Sequence, residues 1–280
     1  MKLFVDTWPN LTVSNAMEFV KSHKKSGANY IKLMQENCCS LALPTDSVPS
    51  ATLELQTAIV KAAHSENMVV VGHALSLDNT DIILRAGADG LTHTFIDQAP
   101  NDRIVELYKI TGAFCIPTLC VLASLTNEDQ EKRHRFAEIA SQKGLIDDFT
   151  KENMCAALGM KAPEARLEYA YNTVKRLHKA GIDIVAGTDA VAGLKGTAVG
   201  PSLWMELDAY VNNCGMSVLE ALSAATAVSA KRFRFDDRGT VEKGKRADLV
   251  LVNGDIKTGI QCLWEEPGIV GVWKAGFRAG

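Results

Sequence analysis

Residues 68–73 read Met-Val-Val-Val-Gly-His, and residues 88–93 read Ala-Asp-Gly-Leu-Thr-His. Each is a short apolar run that closes on a histidine, and each follows a helix-like segment, 52–67 and 78–87 respectively. The same unit recurs in both directions along the chain. Upstream, 14–27 leads into Asn-Tyr-Ile-Lys-Leu-Met at 29–34; downstream, 102–112 leads into 113–118 and 164–181 into Ile-Asp-Ile-Val-Ala-Gly-Thr-Asp at 182–189. Runs that are apolar throughout, rather than at every second residue, belong to strands buried on both faces, and amphipathic helices between them make those strands parallel. The fold class is therefore α/β, with five strands expected.

Between 119 and 163 the chain is polar and helix-prone, of a length and position suited to a lid over the strand ends. Segments 201–214 and 217–231 read as two further helices, the second opening at Ser217 with Glu220 three residues on, a capping-box pattern. After Asp236-Asp-Arg-Gly239 the texture changes to short β-like pieces at 239–241, 247–252 and 269–274. The expected division is 1–235 for the β/α portion, with the insertion at 119–163, and 236–280 for a small β appendage. The stretch 239–245, Gly-Thr-Val-Glu-Lys-Gly-Lys, mimics a phosphate loop, but Arg246 stands where Ser or Thr is needed and a strand follows instead of a helix. It reads as a turn.

Composition narrows the function. Of 280 residues 47% are apolar and 22% charged, and 30 Lys and Arg stand against 33 Asp and Glu for a formal charge of -3. This near balance argues against a polyanion-binding protein. The two basic clusters, 21–25 and 131–135, lie in helical stretches without interleaved aromatic residues and read as solvated helix faces. No apolar run reaches the ~18 residues of a membrane span. The N-terminus meets acid and proline too early for a signal peptide. Seven cysteines without CxxC spacing read as thiols in a reducing compartment, so a cytoplasmic location is expected, with no membrane or nucleic-acid partner.

The chemistry collects at strand ends. Lys32, His73, His93 and Asp189 close or nearly close four of the five apolar runs. In parallel barrels these are the positions where loops open and side chains converge. Taken singly, a strand-end His is a hydrogen-bonded structural residue, a Lys snorkels to the barrel mouth and an Asp after Gly-Thr caps a helix. Together they suit a divalent ion such as Zn²⁺, which takes neutral imidazole and carboxylate and lowers the pKa of its water to about 7. A lysine ammonium cannot ligate; converted by CO₂ to a carbamate it supplies oxygen donors. His23, His64, His134 and His178 fall in helical segments and read as surface or packing residues.

The segments GANYIKLM (27–34), VVGHA (70–74), GADGLTHTF (87–95), IVAGTDA (184–190), GMSVLEALSAATAVSAKRF (215–233) and GTVEKGKRADLVLVNGD (239–255) resemble the amidohydrolase superfamily of metal-dependent hydrolases, especially its imidazolonepropionase and Xaa-Pro dipeptidase-like branch. The likeness runs from about 14 to 275. It implies a TIM-like (β/α)8 barrel with a small β-sandwich. Lys32 would be the strand-4 lysine, carbamylated and bridging two metals; His73 and His93 the strand-5 and strand-6 ligands; Asp189 the strand-8 ligand that also takes a proton from the attacking water. Amide, cyclic amide, peptide or ester bonds would be hydrolysed, with zinc as the expected metal, one ion or two.

One feature departs from that pattern. Family members carry a His-x-His pair on strand 1, and none occurs in these 280 residues. Only 31 residues precede Lys32, where three β/α units would take roughly 90 at ~30 each. The expectation is a partial barrel, strands 4–8, with a remnant of the β-sandwich. Such a piece exposes unpaired strand edges, so a homo-oligomer or a complementing chain is expected. The readings left open are a hydrolase of small C–N substrates, a hydrolytically inactive truncated relative, and reuse of the fold for a lyase or isomerase step.

Overall fold

The computed structural model describes residues 10–265 and 268–279. The reading of residues 1–9 as too polar for a signal peptide lies outside them. In chain order the first elements are α1 (Ala16–Lys25), β1 (Tyr30–Met34), α2 (Leu53–Ser65), β2 (Val69–His73), α3 (Leu77–Ala86), β3 (Gly90–Thr92), α4 (Asp102–Thr111) and β4 (Phe114–Ile116). Three helices follow, α5 (Leu119–Thr126), α6 (Gln130–Gln142) and α7 (Asp148–Cys155), then α8 (Leu167–Lys179), α9 (Pro201–Asn212), α10 (Val218–Ala225) and α11 (Ala227–Arg232). The chain closes with β5 (Leu249–Val252), β6 (Ile269–Lys274) and β7 (Phe277–Arg278). No described helix is long and apolar enough to cross a membrane.

The chain divides into two compact units, 1–117 with 160–183, and 118–159 with 184–280. The first holds a four-stranded parallel sheet in the order β1-β2-β3-β4. Its helices start and stop as their residues require. Thr52, Ser76 and Asn101 cap α2, α3 and α4 by accepting backbone N–H groups of Leu55, Asn79 and Ile104, and Gly87 and Gly112 end α3 and α4 in the left-handed conformation.

Close approach explains two glycines of the sheet. A Cβ on Gly72 would lie 2.4 Å from Ile83 of α3, and one on Gly90 would lie 2.4 Å from the ring of Phe114 on the neighbouring strand. Because Phe114 is buried, its ring has nowhere to go. Gly90→Ala is therefore expected to cost about 1–3 kcal/mol of stability by overpacking, read from urea unfolding; a midpoint unchanged from the parent's would contradict this packing.

A fifth strand over 182–189 was expected, and the structure has none among the described residues. Cys115 N donates to Asp183 O at 3.0 Å, beginning a pairing beside β4, but no ladder follows and the segment is irregular. An apolar run predicts burial; a strand also needs a neighbour to complete its hydrogen bonds. The sheet as described is open and forms no closed barrel.

In the second unit, the insertion is helical as expected, but α5 is no lid. Its residues Leu119 to Ser124 are all buried, as a helix apolar on every side must be. In the basic cluster at 131–135, Glu131, His134 and Arg135 are exposed as expected of a solvated face, but one residue departs from it. Arg133 is buried, donating to Ala123 O at 3.1 Å, to Asn127 Oδ1 at 3.1 Å and to Glu128 O. The helix expected over 217–231 breaks at Thr226 into α10 and α11, and the capping box of Ser217 and Glu220 is present in full.

β5, β6 and β7 form one antiparallel sheet. Residues 239–241 are not a strand: Val241 is exposed, and 242–245 turn through Lys245 N to Glu242 O. Leu249 and Leu251 on one face of β5 and Val250 on the other are all exposed.

Candidate active site

Register places Lys32 and His73 on one face of the sheet in the first unit, with His93 just past the end of the next strand. Lys32 pairs with Val71, Met34 with His73, and His73 with Thr92, so His93 follows one step past the end of β3. Residues paired across a parallel sheet point to the same side. Lys32 thus shares a face with Tyr30, Met34, Val71 and His73, and the opposite face, with Gly72 against Ile83, packs on helices. On the edge strand β1 the Lys32 face is exposed, Tyr30 and Met34 at 42% each, whereas Ile31 and Leu33 are buried.

The His73 and His93 rings meet edge to face, with centroids 5.0 Å apart and planes at 89°. His93 is buried, and burial holds its imidazole well below the ordinary histidine range, with the charges of His73 and Lys32 pushing the same way. A neutral imidazole is the form that binds a metal.

The sequence reading missed Glu36. It lies two residues beyond β1, buried, and its Oε2 is 3.1 Å from His73 Nε2, within hydrogen-bond distance, while Oε1 accepts from Cys38 N at 2.6 Å. Its signal in the sequence is a carboxylate just past a strand that already carries Lys32, but nothing in the spacing tells which neighbour it would meet.

Asp189 belongs to the second unit. It is exposed and sits at φ 51°, in a turn in which Ala190 N donates to Thr188 Oγ1 at 3.2 Å. Beyond it, the loop at 191–199 and the insertion at 144–153 enclose a cavity of about 580 Å³. Leu145, Phe149, Val191 and Val199 present exposed apolar side chains there, with Asp147 the titratable group of the lining. Asn153 Nδ2 ties the loop to α7 through Leu194 O and Thr197 O, at 2.8 and 3.2 Å.

The donor set suits a divalent cation only in part. His73 and His93 are two of the three protein donors a catalytic zinc site uses, and Lys32 adds a third only after conversion to a carbamate. Among the described residues no group of three or more His, Cys, Asp and Glu side chains is gathered to hold an ion. His23, His64 and His134 stand apart, bonded to Phe19 O, Asp89 and Cys155 O respectively.

Comparison with known proteins decides the family. The amidohydrolase family model matches residues 2–278. The chain belongs to the amidohydrolase family. It is 35% identical over 220 residues to imidazolonepropionase of Cutibacterium acnes, covering 70% of this chain and 54% of that protein. It is 24% identical over 267 residues to ochratoxinase of Aspergillus niger, covering 94% of this chain and 49% of that one. Among solved structures, a Xaa-Pro dipeptidase with bound methionine superimposes with a TM-score of 0.66 at 24% identity, over 99% of this chain and 63% of its own. This amidohydrolase-family chain spans about half the length of the curated relatives it matches.

Proposed function

We propose that the chain carries part of the active site of a hydrolase that cuts C–N bonds in small amides, cyclic amides or dipeptide-like substrates, with water as nucleophile and zinc as cofactor. The observation that supports it best is the pairing of His73 with His93 at the ends of adjacent parallel strands, with Lys32 close enough to depress His93. Lys32 as carbamate, His73, His93 and Asp189 would hold the metal, which when bound acidifies water and polarises a carbonyl. To become an oxygen donor, the Lys32 amine adds to CO₂ and releases a proton. Burial keeps His93 neutral. Asp189 takes the proton of the attacking water and passes it to the leaving nitrogen.

In this reading 1–235 is the barrel portion, strands four to eight of a (β/α)8 barrel, and 236–280 the sandwich portion, in a cytoplasmic protein. The open face of β1, with Tyr30 and Met34 exposed, supports a second copy or a complementing chain as the partner. The absence of a three-donor group among the described residues favours one other reading, a hydrolytically inactive relative. Plasma-emission analysis of protein purified without a His tag separates them. About one zinc per chain, with hydrolysis of a dipeptide or lactam panel, is expected; metal near zero and no turnover would leave the inactive relative.

A further inference from the structure

We propose that Glu36 is a positioning residue that sets the tautomer of His73. The inference rests on the metal-site reading above only for its consequence, not for its geometry. A carboxylate has no proton to give, so the contact between Glu36 Oε2 and His73 Nε2 at 3.1 Å is an N–H donated by the imidazole. A neutral imidazole carries one N–H. With Nε2 protonated, Nδ1 holds the lone pair and is the nitrogen left to bind a cation, as in carboxylate–histidine–metal arrangements.

The carboxylate is itself fixed. Its other oxygen accepts from Cys38 N at 2.6 Å, in a turn where Cys38 adopts φ 65°. Ser50 Oγ donates to Glu36 O at 2.9 Å. One residue earlier, Gln35 N donates to His73 O at 3.1 Å, extending the β1 to β2 ladder to the base of the same pair. Gln56 Nε2, reaching from α2, donates to Gln35 Oε1 at 2.9 Å. A surface ion pair would be held by none of these. Both Glu36 and the His73 side chain are largely withdrawn from water, at 7% and 13% exposure, so a wrong tautomer there would leave a donor or acceptor unmatched.

The two oxygens make Glu36→Gln a sharp test. Cys38 N–H requires an acceptor, so the variant's amide oxygen turns to it and the NH₂ faces His73. That donor forces Nε2 to accept and moves the proton to Nδ1. In the full chain labelled with ¹⁵N-histidine, long-range ¹H–¹⁵N correlation spectra at about pH 8, above the ordinary histidine pKa, read the tautomer directly, with His73→Asn identifying the signal. The parent should show Nε2–H, Glu36→Gln should show Nδ1–H, and Glu36→Ala should show a mixture. A parent with Nδ1–H, or a tautomer unchanged in both variants, would overturn the proposal.

Calorimetric titration with zinc alone gives the second readout. Glu36→Gln should bind about 10- to 100-fold more weakly than the parent, and equal affinities would also overturn it. A parent that binds no zinc removes the metal-site reading, while the tautomer spectra continue to decide the role of Glu36.

Discussion

Under the proposed mechanism, Asp189→Asn is expected to lower the hydrolytic rate by about 10²- to 10⁴-fold, the range over which a positioned acid or base acts, and to change stability by no more than about 0.5 kcal/mol. The two halves of this expectation have separate physical causes. Asp189 is exposed and lies at φ 51°, a left-handed conformation that Asn adopts as readily as Asp. The turn keeps its bond from Ala190 N to Thr188 Oγ1, which does not involve the carboxyl. What the amide cannot do is take a proton from water and give it to a leaving nitrogen. Steady-state kinetics on the substrate that the panel identifies, with metal content and thermal melting measured on the same sample, check all three quantities. Normal turnover in the variant would remove Asp189 from the mechanism; lost turnover with metal retained would show its proton-transfer role, and lost metal with lost turnover its role as a ligand.

The second expectation concerns a carboxyl that the sequence reading passed over. Glu206, in the middle of the α9 stretch Ser-Leu-Trp-Met-Glu-Leu, is fully buried, and its two oxygens accept from Leu119 N and Cys120 N at the start of α5, each at 2.9 Å. Burial pushes its pKa from 4.5 to about 7, against the pull of those N–H groups and of Tyr210 and Cys120. Between these values the folded chain keeps a proton that the unfolded chain has released. The unfolded state therefore binds fewer protons, and stability falls as pH rises.

Stability from this group is full below about pH 4.5 and is lost as pH climbs through about 7. At about 1.4 kcal/mol per decade the change amounts to about 3 kcal/mol. Urea unfolding of the parent and of Glu206→Gln from about pH 5 to 8 tests it, because the amide does not titrate in that range. The parent's curve should decline across the window and the variant's should lack that decline; matching slopes would show that the decline has another source. Glu206→Ala orphans both N–H groups and should cost about 2–6 kcal/mol, at one to three for each.

Glu206 shows what was hidden in the chain and why. A glutamate between Met205 and Leu207 looks like an interruption of an apolar helix, and only the arrival of the α5 N-terminus turns it into a cap across 86 residues of sequence. Arg133 was misread for the same reason: a charged residue among charged neighbours looks solvated until its carbonyl partners are known. Glu36 is the third case. The ligand-type residues His73 and His93 were visible because each ends its own apolar run, whereas Glu36, which contacts His73, comes from the loop after another strand. The absent strand at 182–189 is the converse, a locally convincing pattern that meets β4 only at its start.

Residue order alone established the α/β class, the repeating helix and strand units, the capping box at Ser217, and the clustering of Lys32, His73 and His93 at one end of a parallel sheet. These follow from periodicity and from interactions within a few residues, which any stretch of chain carries with it. The partners of Glu36 and Glu206, the burial of α5 and the open face of β1 depended on folding. A hydrogen bond between distant residues exists only when packing brings a donor and an acceptor to within about 3 Å of each other, and no local pattern encodes that meeting.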